Sequence, residues 1–272
     1  NLVEHGDSVV RNGDVRFGVF PGRDGQPYTY YRFPQSVLGV PAILVADATG
    51  PVREERRHFF FVLTSAAAAA LLALAYATWF RRQGLSDRRA VLWAAAGILC
   101  TPSWFYGTST FDDILGTAAV VAAVVVADAA RRSGRWTAAG WAALLIGLAF
   151  NCKQPLAVFG LGTAAALDDP ALGPRKRLIR TGLLVLGLGV GIAAYLAYDL
   201  YKFPPGTKDA HQALLLQYIP VWPGHFSVAL LALALSPGAG LLWYSPTLLL
   251  CLAGMRRPSA GQRSLIQSLL AG

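Results

Sequence analysis

Long apolar runs broken by short clusters of arginine leave this chain few ways to fold. The clusters are Arg81, Arg82, Arg88 and Arg89; Arg131, Arg132 and Arg135; Arg175, Lys176, Arg177 and Arg180; and Arg256, Arg257 and Arg263. Several of the runs between them approach or exceed the ~20 residues needed to cross ~30 Å of hydrocarbon. Charged residues make up 14% of the 272 positions, against about 25% in a soluble domain. Mean hydropathy is +0.44. The pattern predicts an all-α, polytopic membrane helix bundle with about seven spans, two of them short, and an outer-face loop region.

Short loops rich in Lys and Arg stay cytoplasmic. Keeping all four clusters inside divides the chain as follows. Residues 1–58 form an outer loop region, in which QSVLGVPAILVADA is too short to span and lies as an interfacial helix. Residues 59–200 hold transmembrane helices: 59–80 inward, 90–107 outward, 113–130 inward and 179–200 outward, with TPSWFYGTSTFDD at one outer turn. Residues 201–237 form an outer loop with a surface-lying or re-entrant helix near Pro220, Pro223 and Gly224. Residues 238–272 hold a further transmembrane helix, an inner loop and the start of another helix.

The apolar stretch 137–168, interrupted at NCKQP (151–155), admits two readings. One continuous span places the 175–180 cluster outside. A hairpin, the preferred reading, keeps that cluster inside and gives two helices of ~14 residues, about 21 Å each. Lys153 then sits at the floor of an outward-facing vestibule. Backbone that turns at such depth needs a protein-lined or watered cavity.

The net charge of +9 does not indicate nucleic acid, because the basic residues lie in loops between apolar runs. Cys100, Cys152 and Cys251 lack the spacing of a zinc site or a disulfide framework. Cys100 and Cys251 read as packing residues. A divalent metal is left open, though no spacing around His211 or His225 indicates one. Gly187, Gly189 and Gly191 lie inside an apolar span with no preceding strand, so they predict close helix packing rather than a dinucleotide site. Asp128 is expected to pair with Arg131 or Arg132, and Asp168–Asp169 to form a solvated face. A start at Asn1 and the ending SLIQSLLAG read as a fragment of a longer protein.

The groups able to do chemistry gather on the predicted outer side. Asp112 and Asp113 open the run FDDILGTAAVVAA. They read either as first-turn carboxylates favoured by the helix dipole, with Thr108, Ser109 or Thr110 as cap, or as a general base or a metal or hydroxyl ligand. Lys153 reads either as a snorkelling lysine or as a point charge for a lipid phosphate. Arg32, beside Tyr31 in YTYYRFPQS, suits phosphate or sugar contact. Tyr28, Tyr30, Lys202, Lys208, Asp209, His211 and His225 share that side.

These residues resemble the GT-C class of multi-pass glycosyltransferases, the kind that includes protein mannosyltransferases and lipid A aminoarabinose transferases. DGQPYTYYRFPQSVLGVPAILVA is similar to a first outer loop. TSTFDDILGTAAVVAA is similar to a span opened by an acidic residue. LIGLAFNCKQPLAVFGLG is similar to a glycine-rich span followed by lysine. SPGAGLLWYSPTLLLCLAGMRR is similar to a recurrent element of bacterial members. The resemblance implies transfer of a sugar, with inversion, from a polyprenyl-phosphate donor to an acceptor on the outer face of a bacterial cytoplasmic membrane. It implies catalytic work for Asp112 or Asp113 and substrate binding by Lys153, Arg32, Tyr31 and His211. The family's principal carboxylate lies in the first outer loop, where Glu4, Asp7 and Asp14 do not form the expected acidic motif. A carboxylate upstream of Asn1 is the expected base. The runner-up is a transporter or flippase-like protein whose charged vestibule does no chemistry; symmetric halves would mark it.

Overall fold

The computed structural model describes residues 19–29, 33–110, 112–169 and 172–204. The described residues are helical apart from a two-stranded antiparallel hairpin. Its strands are β1 (Val19–Pro21) and β2 (Pro27–Thr29), with Val19 opposite Thr29. The helices are α1 (Phe33–Ala48), α2 (Glu54–Arg82), α3 (Asp87–Leu99), α4 (Ser103–Gly107), α5 (Asp113–Ser133), α6 (Trp136–Cys152), α7 (Phe159–Leu167) and α8 (Pro174–Lys202). A 3-10 segment, Gln154–Val158, joins α6 to α7. The helices predicted beyond residue 204 and the loop before residue 19 lie outside the described residues.

Among the described residues, three helices, α2, α5 and α8, are long and apolar enough to cross a membrane. Two of them start earlier than the apolar runs alone predict. The first turn of α2 carries Glu54 and Glu55, where carboxylates complement the helix dipole. Pro174 opens α8, a position that has no use for the missing N–H. The predicted span 90–107 is divided instead: α3 stops at Leu99 and α4 resumes at Ser103. Pro102 lies between them, and Thr101 turns its hydroxyl back to donate to the Gly97 carbonyl at 2.7 Å. Much of the outer surface is apolar, with Leu71, Leu74, Leu92, Leu178, Val185 and Leu186 all exposed.

The stretch 137–168 doubles back as a hairpin. Ala166 and Leu167, at the end of α7, share one core cluster with Ala139, Ala142 and Ala143 near the start of α6. Ala127 and Ala130 of α5 and Leu184 of α8 complete that cluster. The ends of α5 and α7 and the starts of α6 and α8 therefore meet at one end of the bundle, here the arginine-rich end. Gly134, at φ +70°, makes the left-handed cap that lets α5 turn into α6.

Close packing of α6 on α8 rests on backbone approach. A Cβ at Gly187 would meet the Ala143 backbone at 2.5 Å, and one at Gly191 would meet Gly147 at 2.6 Å. Both faces are small-xxx-small, the pattern that lets apolar helices approach closely. Gly189 faces open space, so two of the three predicted glycines do this work. Asn151 pins the same seam by donating to the carbonyls of Gly147 (2.9 Å) and Gly191 (2.7 Å).

Helix α1, predicted to lie at an interface, runs antiparallel along the first part of α2. Gln35 donates to Ser65 at 2.9 Å, and Arg57 clasps Asp47 with two bonds of 2.8 Å. The guanidinium holds the Asp47 carboxyl below its ordinary 3.8, chiefly through those hydrogen bonds. Arg53, Arg56 and Arg57 open α2 beside Glu54 and Glu55. Arginines therefore stand at both ends of the bundle, rather than at one end as the four loop clusters suggest.

Candidate functional site

The acidic end is built where α4, α5 and α6 meet. After α4 the hydroxyls point backward: Thr108 donates to the Phe105 carbonyl at 3.0 Å and Ser109 to the Tyr106 carbonyl at 3.2 Å. Neither Thr108 nor Ser109 stands at the N-cap position of α5, contrary to expectation. The N-cap position is Asp112 itself, with no side-chain cap bond. Thr110, the third candidate cap, is exposed and does not occupy that position. Asp113 stands in the first turn of α5, where the dipole favours its charge.

Lys153 arrives from the other direction. Pro155 has no N–H to continue the α6 ladder, and Lys153 takes an extended conformation (φ −154°, ψ 115°) as the C-cap of α6. Its N–H still bonds to Ala149 at 2.9 Å, and its carbonyl accepts from Leu156 at 2.9 Å. The side chain reaches across to α5, where the Lys153 ammonium donates to the Asp113 carboxylate in a close ion pair. The lysine side chain is 53% exposed and that of Asp113 22%. Tyr106 and Asp112 lie within electrostatic reach of the ammonium. The Cys152 thiol is buried beside the same two aspartates.

Asp112, Asp113 and Lys153, separated by 40 positions in sequence, are thus gathered at one rim of the bundle. An ammonium has three N–H donors, and Asp113 takes one. Two carboxylates and one ammonium leave the cluster with a formal charge of −1. Sequence reasoning missed Tyr106; the aromatic run SWFYG at the turn was the signal that could have found it.

Arg32, Tyr31 and His211 lie outside the described residues. Tyr28 and Lys202, expected on an open polar face, are buried instead. Tyr28 packs edge-on against Tyr201 and Phe203, and the Lys202 ammonium sits 4.2 Å from the Tyr198 ring centroid. The β1–β2 hairpin covers this place, with Gly22 against the Lys202 carbonyl. Among the described residues, no group of three or more His, Cys, Asp or Glu side chains is arranged to hold a metal ion.

At the arginine-rich end, Asp128 is buried and accepts from Arg131 at 3.0 Å and Arg132 at 2.9 Å, with Arg82 at 3.6 Å. Both expected partners bind it, and α2 supplies a third. Asp168, expected to be solvated, is half-exposed but doubly bonded to Arg177. No family model matches this chain, and no curated protein or solved structure matches it either.

Proposed function

We propose that the acidic end is the catalytic face of a membrane-embedded transferase. It moves a sugar, with inversion, from a polyprenyl-phosphate donor to an acceptor on the outer face of a bacterial cytoplasmic membrane. The supporting observation is the meeting of Lys153 with Asp113, beside Asp112, at a rim flanked by apolar helices. In this reading the half-exposed ammonium of Lys153, helped by Arg32, stabilises the phosphate that departs from the sugar, as fixed cations do for developing anions. Asp113 compensates and aims the ammonium while the site is empty. Asp112 orients the acceptor hydroxyl, and Tyr31 and His211 contact the sugar. A phosphate arriving at Lys153 replaces Asp113 as its partner, which frees that carboxylate for the acceptor.

The contact itself also favours a second reading, in which the pair merely clamps α5 to α6. The test uses the full-length protein in membranes with Lys153→Met, Asp113→Asn and the double variant. A chemical role predicts a fall in sugar transfer of about 100-fold for each single variant and no recovery in the double. Parental turnover in the double variant, which lacks both charges, would establish the clamp and end the catalytic reading.

A further inference from the structure

At the arginine-rich end, α7 and α8 enclose a cavity of about 670 Å³, the size of a small-ligand pocket. Arg177, Arg180 and Thr181 line it together with Leu161, Leu178 and Leu184. Arg180 is the informative residue. The sequence places it in a basic cluster at the edge of an apolar run, yet it is 4% exposed. Its two terminal nitrogens donate to carbonyls that end two helices, Leu167 of α7 and Ala130 of α5, each at 3.2 Å. Its guanidinium carbon lies 5.8 Å from the Trp136 ring centroid.

Among the described residues no carboxylate pairs with Arg180, and its Nε–H is buried with no acceptor. The carboxylate lining the cavity, Asp168, is already taken by Arg177, with bonds of 2.7 and 2.8 Å. The negative helix ends offset part of the Arg180 charge but leave the Nε donor unserved. A buried guanidinium of this kind calls for an anion.

The walls tell which anion. Leu161 and Leu178 are 71% and 73% exposed, so the cavity opens onto an apolar outer surface rather than onto a polar one. Its ligand must offer an anionic head to the arginines and hydrocarbon to the leucines. We propose that this cavity binds the phosphate head of an anionic phospholipid, with an acyl chain along Leu161 and Leu178. Basic pockets between membrane helices recognise such heads. This site is separate from the Lys153 cluster and does not depend on its chemistry.

Native mass spectrometry of the purified chain in detergent tests it, with phosphatidylglycerol, phosphatidylcholine of the same acyl chains, and inorganic phosphate as probes. Phosphatidylglycerol is expected to bind about tenfold tighter than phosphatidylcholine, and Arg177→Gln to weaken it about fivefold. Arg180→Gln should abolish the preference. Because Arg180 also ties two helix ends, the Arg177 variant carries the test if Arg180→Gln does not fold. Equal binding of the two lipids would overturn the proposal, as would an Arg177→Gln protein that keeps the parental preference. Inorganic phosphate binding as tightly as phosphatidylglycerol would replace the lipid with a soluble anion and overturn the assignment.

Discussion

The two ends of the bundle handle charge in opposite ways. At the arginine-rich end, Asp128 is almost wholly buried and ties α5 to α2 through Arg131, Arg132 and Arg82. At the acidic end, the Lys153 ammonium is left half-exposed on the rim, although it is paired with Asp113. A charge that bolts helices together is surrounded by partners and shut away. A charge proposed to meet a ligand stays within reach of one.

That contrast can be broken by mutation, and the largest effect should come from the buried end. Asp128→Ala strips the shared partner from Arg82, Arg131 and Arg132. Asp128 is buried but Arg131 and Arg132 are half-exposed, so the loss should be about 3 kcal/mol, the low end for a broken buried pair. Asp113→Asn removes a partly exposed partner and should cost about 0–1 kcal/mol. Thermal melts of the two variants in one detergent give the comparison. Equal losses would mean that the acidic end is as much a structural joint as the arginine end.

Next in size is the seam that holds the two ends in register. Gly187→Leu drives a side chain into the Ala143 backbone and should destabilise by about 1–3 kcal/mol or more. Gly189→Leu points into open space and should leave the melt unchanged. A matching loss at Gly189 would show that the seam has another geometry.

The smallest effect concerns Arg57 and Asp47, which tie α1 to α2. The folded Asp47 carboxyl titrates below its ordinary 3.8 because Arg57 bonds to it. Its stabilising effect is therefore full above that value and is lost as pH falls through the lower folded value. The parent should lose part of its melting temperature below about pH 4. Arg57→Gln should lack that component of the acid loss. Identical pH profiles for the two proteins would remove this link from the account.

The helices and the break at 151–155 could be read from the sequence because apolar runs, proline and arginine clusters act locally. Pairing of Asp128 with its i+3 and i+4 neighbours was legible for the same reason. Burial was not. Arg180 sits among four basic residues in a short loop, and nothing in that spacing tells it from Arg175. Its difference comes from the ends of α5 and α7, 50 and 13 residues away. Lys202 and Tyr28 misled in the same way, since the hairpin that carries Tyr28 and covers Lys202 comes from the far end of the chain. The site was legible as a side rather than as a contact. Topology put Asp113 and Lys153 on one face, but which carboxylate the lysine meets depends on how α5 and α6 cross.

The abrupt stop of α6 at Lys153 has a consequence for the medium around the protein. Seventeen residues make a rod of about 25 Å, whereas the hydrocarbon of a bilayer is about 30 Å thick. The hairpin and its long neighbour α8 differ in length, so helix tilt, thinner lipid or water above the turn must absorb the mismatch. Acyl-chain length would then act on the Lys153 rim as a mechanical variable. The surrounding membrane would set how far a lipid-borne phosphate has to descend to meet the ammonium.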